Sequence, residues 1–90
     1  MGIKYVIRYI ESIKNKYFQS IAQDKRILIK RVIDDKLTTN PRIFGKPLAG
    51  SLKGHYRLRI GNYRVIYRVN DDVVTVVAIG HRKAIYDDYR

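Results

Sequence analysis

The chain has 90 residues, 46% of them hydrophobic, and sets 19 Lys+Arg against 8 Asp+Glu for a formal net charge of +11. A chain this short forms one domain, residues 1–90, and hides only about 60–65% of the surface its unfolded form exposes. It contains no cysteine, which excludes a disulfide framework, a thiol nucleophile and a Cys-based zinc site.

The basic excess points to polyanionic or acidic partners. It is also uneven: residues 37–70 hold Arg42, Lys46, Lys53, Arg57, Arg59, Arg64 and Arg68 and no acid. Residues 1–10, interrupted by Lys4 and Arg8, lack the apolar run of a signal peptide. No stretch approaches the roughly 18 apolar residues of a membrane span. A cytoplasmic protein without membrane contact is the expectation.

In chain order, residues 3–10 (Ile-Lys-Tyr-Val-Ile-Arg-Tyr-Ile) predict a strand partly buried on both faces, being β-branched and aromatic with irregular alternation. Ile13, Tyr17 and Ile21 then recur at four-residue spacing among Lys14, Asn15, Lys16 and Gln19, the pattern of a short amphipathic helix. Ser20-Ile21-Ala22-Gln23 fits a capping box opening a second helix to about Lys36. Its apolar stripe is Ile21, Leu28, Ile29, Val32 and Ile33, and Pro41 closes it. The two segments make a helical hairpin, on which Lys14, Lys16, Lys25 and Lys30 read most simply as a solvated face. Residues 42–53 read as a loop whose glycines are too dispersed to cradle a phosphate.

The most informative stretch is residues 54–69, in which two apolar/basic alternating runs flank Gly61-Asn62, the signal of a tight β-hairpin. A two-residue loop pairs Ile60 with Tyr63, Arg59 with Arg64, Arg57 with Ile66 and His55 with Arg68. One face then carries Tyr56, Leu58, Ile60, Tyr63, Val65, Tyr67 and Val69; the other carries His55, Arg57, Arg59, Arg64 and Arg68, with Ile66 among them. Like charges directly opposite each other destabilise a sheet, so a polyanion laid on that face would relieve a conflict the fold does not require.

Asn70-Asp71-Asp72 predicts a second turn, and residues 73–79, the most β-prone run, a central strand. With a two-residue loop at Asp71-Asp72, Val74, Val76 and Ala78 join the helix-covered face, and Ile79 falls beside Arg64. The tail brings His81, Arg82, Lys83 and Tyr86 back to the end of the sheet, with Gly80 the expected place for a break in alternation that admits Arg82 to the basic face. The predicted fold class is α+β: an N-terminal strand, a two-helix hairpin, an antiparallel three-stranded meander packed on the helices and a short C-terminal segment.

Of the residues that carry chemistry, neither a metal-ligand set, nor a nucleotide fingerprint, nor a paired carboxylate away from turns and tail is present, so no metal and no cofactor is expected. Arginine, histidine and tyrosine remain. That set suits phosphodiester chemistry, where a protein holds the backbone, orients a 2′-hydroxyl and stabilises charge on a pentacovalent phosphorus. Arg57, Arg59 and Arg64 are candidates for phosphate binding and charge stabilisation, against a plainer reading as exposed strand arginines over apolar surface. His81 is a candidate for proton transfer because a free imidazole titrates near neutrality, and Tyr86 for base stacking or proton transfer. Lys46, Lys53, Arg68 and Lys83 would add RNA-binding charge, Arg68 competing with a surface ion pair to the Asp71-Asp72 turn. His55 reads as structural or peripheral.

The run from Lys46 to Tyr67, with Tyr56-Arg57-Leu58-Arg59-Ile60-Gly61-Asn62-Tyr63-Arg64-Val65-Ile66-Tyr67 at its heart and Gly80-His81-Arg82 following, strongly resembles the RelE/ParE superfamily of toxins from prokaryotic toxin–antitoxin pairs, on its RelE side. The resemblance implies a RelE-like fold and a ribosome-dependent endoribonuclease, an mRNA interferase cutting message in the decoding A site. In that family the 2′-hydroxyl attacks the adjacent phosphate without a metal, leaving a 2′,3′-cyclic phosphate and a 5′-hydroxyl. By motif position Arg57 and Arg59 take the places of basic side chains, Arg64 and Arg82 those of transition-state arginines, and Tyr86 that of a tyrosine near the attacking hydroxyl. It also implies an acidic RelB-like antitoxin bound in a hetero-oligomer. ParE-like relatives share the fold and inhibit DNA gyrase instead; a plain RNA-binding module is the third reading.

Overall fold

The computed structural model of the chain describes residues 4–11, 18–83 and 85. Its elements are β1 (Val6–Tyr9), α1 (Gln23–Leu37), α2 (Pro41–Phe44), β2 (Lys46–Pro47), β3 (His55–Ile60), β4 (Tyr63–Asn70) and β5 (Val73–His81), with single 3₁₀ turns at Phe18–Ser20 and Gly50–Leu52. The strands form one sheet in the order β1-β5-β4-β3-β2. The predicted meander is β3–β5, with β5 central as expected. It is extended on one side by β1, which runs parallel to β5, and on the other by the two-residue β2, which pairs within the segment predicted as a loop.

The first strand is shorter and more one-sided than its sequence predicts. It is an edge strand, its Val6 55% exposed, and only Ile7 and Tyr9 pack against the main core. The first helix of the predicted hairpin, over residues 12–17, lies outside the described residues.

Helix α1 forms because Ile29, Ile33 and Leu37 recur every four residues, and all three are fully buried. Leu28, one step around the helix from Ile29, sits at the fringe of that stripe and is exposed. The predicted capping box at Ser20 is not the helix start. The N-cap is Ala22, which has no capping side chain, while its carbonyl accepts from the Lys25 and Arg26 amides at 3.0 and 2.9 Å. A 3₁₀ turn at Phe18–Ser20 precedes the helix, and Ile21 after it is buried in the core. At the other end Thr38 Oγ1 donates to the Asp34 carbonyl and Thr39 Oγ1 to the Lys36 carbonyl at 3.0 Å, satisfying acceptors that a helix end leaves open.

Pro41 then starts α2 at the one helical position where a missing N–H costs nothing. This short helix is tied to the sheet by the buried Tyr67, whose hydroxyl donates to the Pro41 carbonyl at 2.5 Å and whose ring stacks on Tyr56. Burial holds the Tyr67 proton well above the ordinary phenol range, and the Tyr56 hydroxyl adds to the effect.

The main core lies between α1 and one face of the sheet: Ile21, Ile29, Ile33 and Leu37 meet Leu58, Ile60, Val65, Tyr67, Val74, Val76 and Ile79. A second, smaller cluster sits on the opposite face, where Ile85 of the C-terminal segment packs with Ile66, Val77 and Ala78. Between the two, β5 changes parity. Tyr67 pairs with Val76 but Ile66 pairs with Ala78, leaving Val77 as the extra residue of a β-bulge. The predicted two-residue turn at Asp71-Asp72 holds, since Asn70 pairs with Val73. Beyond the bulge the predicted register fails: Ile79 is buried on the helix-covered face and Ala78 lies opposite Ile66. No helix among the described residues is long and apolar enough to cross a membrane.

Candidate functional site

The β3–β4 hairpin has the predicted register throughout, from Ile60 opposite Tyr63 to His55 opposite Arg68. Gly61 adopts φ 56° whereas Asn62 keeps an ordinary φ, so only the first turn position needs the left-handed region, as in a II′ turn. The face turned away from α1 is consequently laid out in rows. One row runs Lys46, Arg57, Ile66, Ala78 across β2 to β5; the next runs Arg59, Arg64, Gly80; on the other side lie His55, Arg68, Thr75 and, on β1, Arg8. Strands are about 4.8 Å apart and successive rows about 6–7 Å, which places the arginines within the span of two or three phosphates.

Arg82 joins this group. The bulge at Val77, rather than Gly80, supplies the parity change that puts Gly80 beside Arg64 and the residue two further on over the same face. The Arg82 amide donates to the Asn62 carbonyl at 2.8 Å, so the segment after β5 is fastened to the hairpin turn.

Arg64, like Arg57, is partly buried. Its Nη1 donates to the carbonyls of Gly61 at 3.0 Å and Tyr63 at 2.9 Å, which turns one edge of the guanidinium into the hairpin end. Burial lowers its pKa, and the charges of Arg59, Arg57 and Arg82 lower it further. Three cations from β3 and the segment after β5 therefore bear on one guanidinium, an arrangement that an anion would stabilise.

The remaining predicted residues divide. Lys46 and Arg68 lie in the basic rows. Lys53 lies in the turn before β3, outside the strand rows, and Lys83 is exposed at the start of a helical turn after β5. His81 is exposed, paired with Tyr63 and set edge-on to its ring at 5.9 Å. Tyr86 lies outside the described residues. His55 is part-buried, with its Nδ1 buried and unpartnered. Arg8 was not among the predicted site residues, because only the parallel pairing of β1 with β5 puts it on this face and nothing in the alternation of residues 3–10 announces that pairing. Among the described residues no group of three or more His, Cys, Asp or Glu side chains converges to hold a metal ion.

A five-stranded sheet with helices on one face and arginines on the other is the frame of the site. The sequence matches the family described as the ParE toxin of the parDE type II toxin–antitoxin system over residues 4–86, and the chain belongs to that family. Within it the relatives are RelE-like. Toxin RelG of Mycobacterium tuberculosis is 42% identical over 52 residues, 56% of this chain and 60% of RelG, so the match spans less than two thirds of that relative. Toxin RelE3 of Methanocaldococcus jannaschii is 37% identical over 62 residues, 66% of this chain and 70% of that protein. In fold, the chain superposes on a subunit of the toxin–antitoxin complex RelBE2 of Mycobacterium tuberculosis with a TM-score of 0.80, at 24% identity over 89% of this chain and 93% of the other. The RelB-RelE complex of Methanococcus jannaschii gives 0.68, at 25% identity over 92% and 99%.

Proposed function

We propose that this toxin is a metal-independent endoribonuclease that cuts messenger RNA in the ribosomal A site and so stops translation. The observation that carries the reading is the convergence of Arg57, Arg59 and Arg82 on the partly buried Arg64. In the proposed reaction the RNA 2′-oxygen bonds to the adjacent phosphorus and the P–O5′ bond breaks. The 2′-hydroxyl proton leaves, the 5′-oxygen takes one up, and a 2′,3′-cyclic phosphate and a 5′-hydroxyl result. Negative charge grows on the phosphoryl oxygens in the transition state, and preorganised guanidinium donors aimed at those oxygens lower the barrier more than they tighten ground-state binding. Arg64 and Arg82 take that role, Arg57 and Arg59 hold the flanking backbone with Lys46, Lys53, Arg68 and Lys83 in support, and Tyr86 stands near the attacking hydroxyl by its place in the motif.

The same face, masked, would silence the enzyme. The structural relatives in complex with RelB support an acidic RelB-like antitoxin as the cognate partner in a hetero-oligomer, and the net charge of +11 fits such a partner. A cytoplasmic location follows from a ribosomal substrate.

The test is to add the purified chain to programmed ribosomes and map RNA ends. Cuts in register with the codon in the A site, lost in Arg64→Ala, are the expected result. The match to the parDE toxin favours one second reading, inhibition of a DNA gyrase; intact message together with blocked supercoiling would establish it in place of the first.

A further inference from the structure

His81 stands at the junction between β5 and the helical turn that opens at Arg82. Its Nδ1 accepts a long hydrogen bond, 3.4 Å, from the Lys83 backbone N–H two residues on, the geometry of a side chain capping the start of a helix. The ring is also held from the other side, edge-on against Tyr63, while the Arg82 amide is taken by the Asn62 carbonyl. The same hairpin turn offers the Gly61 carbonyl to the Arg64 guanidinium. One turn and one imidazole thus fix two arginines that reach the face from separate segments.

We propose that His81 is a positioning residue, capping the turn that begins at Arg82 and so setting where that arginine stands relative to Arg64. This rests on the reading of the arginine face as the site of RNA cleavage. Loss of the cap leaves every cation in place, so the chain should still bind RNA while its arginines are less well ordered for the transition state.

The experiment compares the full chain with His81→Ala and His81→Asn, since asparagine caps helix starts well but does not titrate. Three quantities are measured: amide hydrogen exchange at Arg82 and Lys83, the single-turnover cutting rate and RNA affinity on programmed ribosomes, and the pH profile of the rate. In His81→Ala, exchange at Lys83 is expected to rise about fivefold and the rate to fall about tenfold, with affinity within about twofold of the original. His81→Asn should restore both exchange and rate and keep the original pH profile. Unchanged exchange in His81→Ala overturns the cap. Exchange restored by asparagine without the rate overturns the positioning role and returns His81 to proton transfer. If the unmodified chain cuts nothing, the cleavage reading fails by itself, and the exchange data alone decide whether His81 caps the turn.

Discussion

The two faces of this sheet are written by alternate residues of the same strands, yet they solve opposite problems. On the α1 side, Leu58, Val65, Val76 and Ile79 are enclosed with Ile29, Ile33 and Leu37, and the free energy comes from removing hydrocarbon from water. On the other side Arg59 faces Arg64 with Arg57 and Arg82 close by, beside a small apolar cluster of Ile66, Val77, Ala78 and Ile85 with Ile10 and Leu48 packed against it. The first face is hydrocarbon, with the Tyr9 hydroxyl buried in it unpartnered; the second gathers like charges. The lesson is that a side-chain period of two separates the core from the basic face, so substitutions one residue apart should fall into different classes.

The largest effect expected to test that separation is Arg64→Ala, which should lower the cutting rate about 100-fold and leave the urea midpoint nearly unchanged; a collapse of the fold instead would mean the faces are not independent. Gly45→Ala is the converse. A Cβ there would run into the Tyr67 hydroxyl and meet the Tyr56 side chain, so urea denaturation should show a loss of about 2–3 kcal/mol, with RNA-end mapping of the surviving folded protein giving the same cuts.

Two tyrosine substitutions sharpen the helix-covered side. Tyr67→Phe leaves the Pro41 carbonyl without its donor and should cost about 1–2 kcal/mol. Tyr9→Phe removes a buried hydroxyl that has no partner, so it should be neutral or stabilising by up to about 1 kcal/mol. Burial, with Asp34 adding to it, pushes the Tyr9 hydroxyl up to about 12 from 10.0. Its folded pKa is above its unfolded one, so its contribution is complete below pH 10 and is lost as pH rises towards 12; Tyr9→Phe should flatten that part of the alkaline stability profile. The smallest effect belongs to the basic face. Arg59→Gln removes one of two opposed cations and should stabilise the fold by a few tenths of a kcal/mol, about 0.3, while weakening RNA binding; a loss of stability would show that the pair is not a conflict.

Much of this arrangement was legible in residues 54–69, because period-two alternation on both sides of a Gly-Asn turn admits one register and thereby assigns Arg57, Arg59 and Arg64 to one face. Both turns and the burial of β5 followed from local chemistry in the same way. The start of α1 fell two residues after Ser20, where a 3₁₀ turn ends, and local motifs do not report where one helix type gives way to the other. The pairing of β1 is non-local, so Arg8 could not be placed. Nor could Ile79, since Val-Val-Thr-Val-Val-Ala-Ile contains no glycine or charge to mark where the ladder takes an extra residue. The place of Arg82 on the basic face was therefore readable, but the break that admits it lies at Val77 and not at Gly80.

That extra residue at Val77 has a consequence for how such toxins diverge. It acts as a reading-frame change within the strand: positions before it and after it obey opposite rules for which side they occupy. Losing the insertion, or moving it two positions towards the C-terminus, would exchange the sides of Ala78 and Ile79 without altering a single amino acid type. Substitution patterns along this strand should accordingly be compared in two frames joined at residue 77, and an insertion or deletion there should be rarer than in either neighbouring turn.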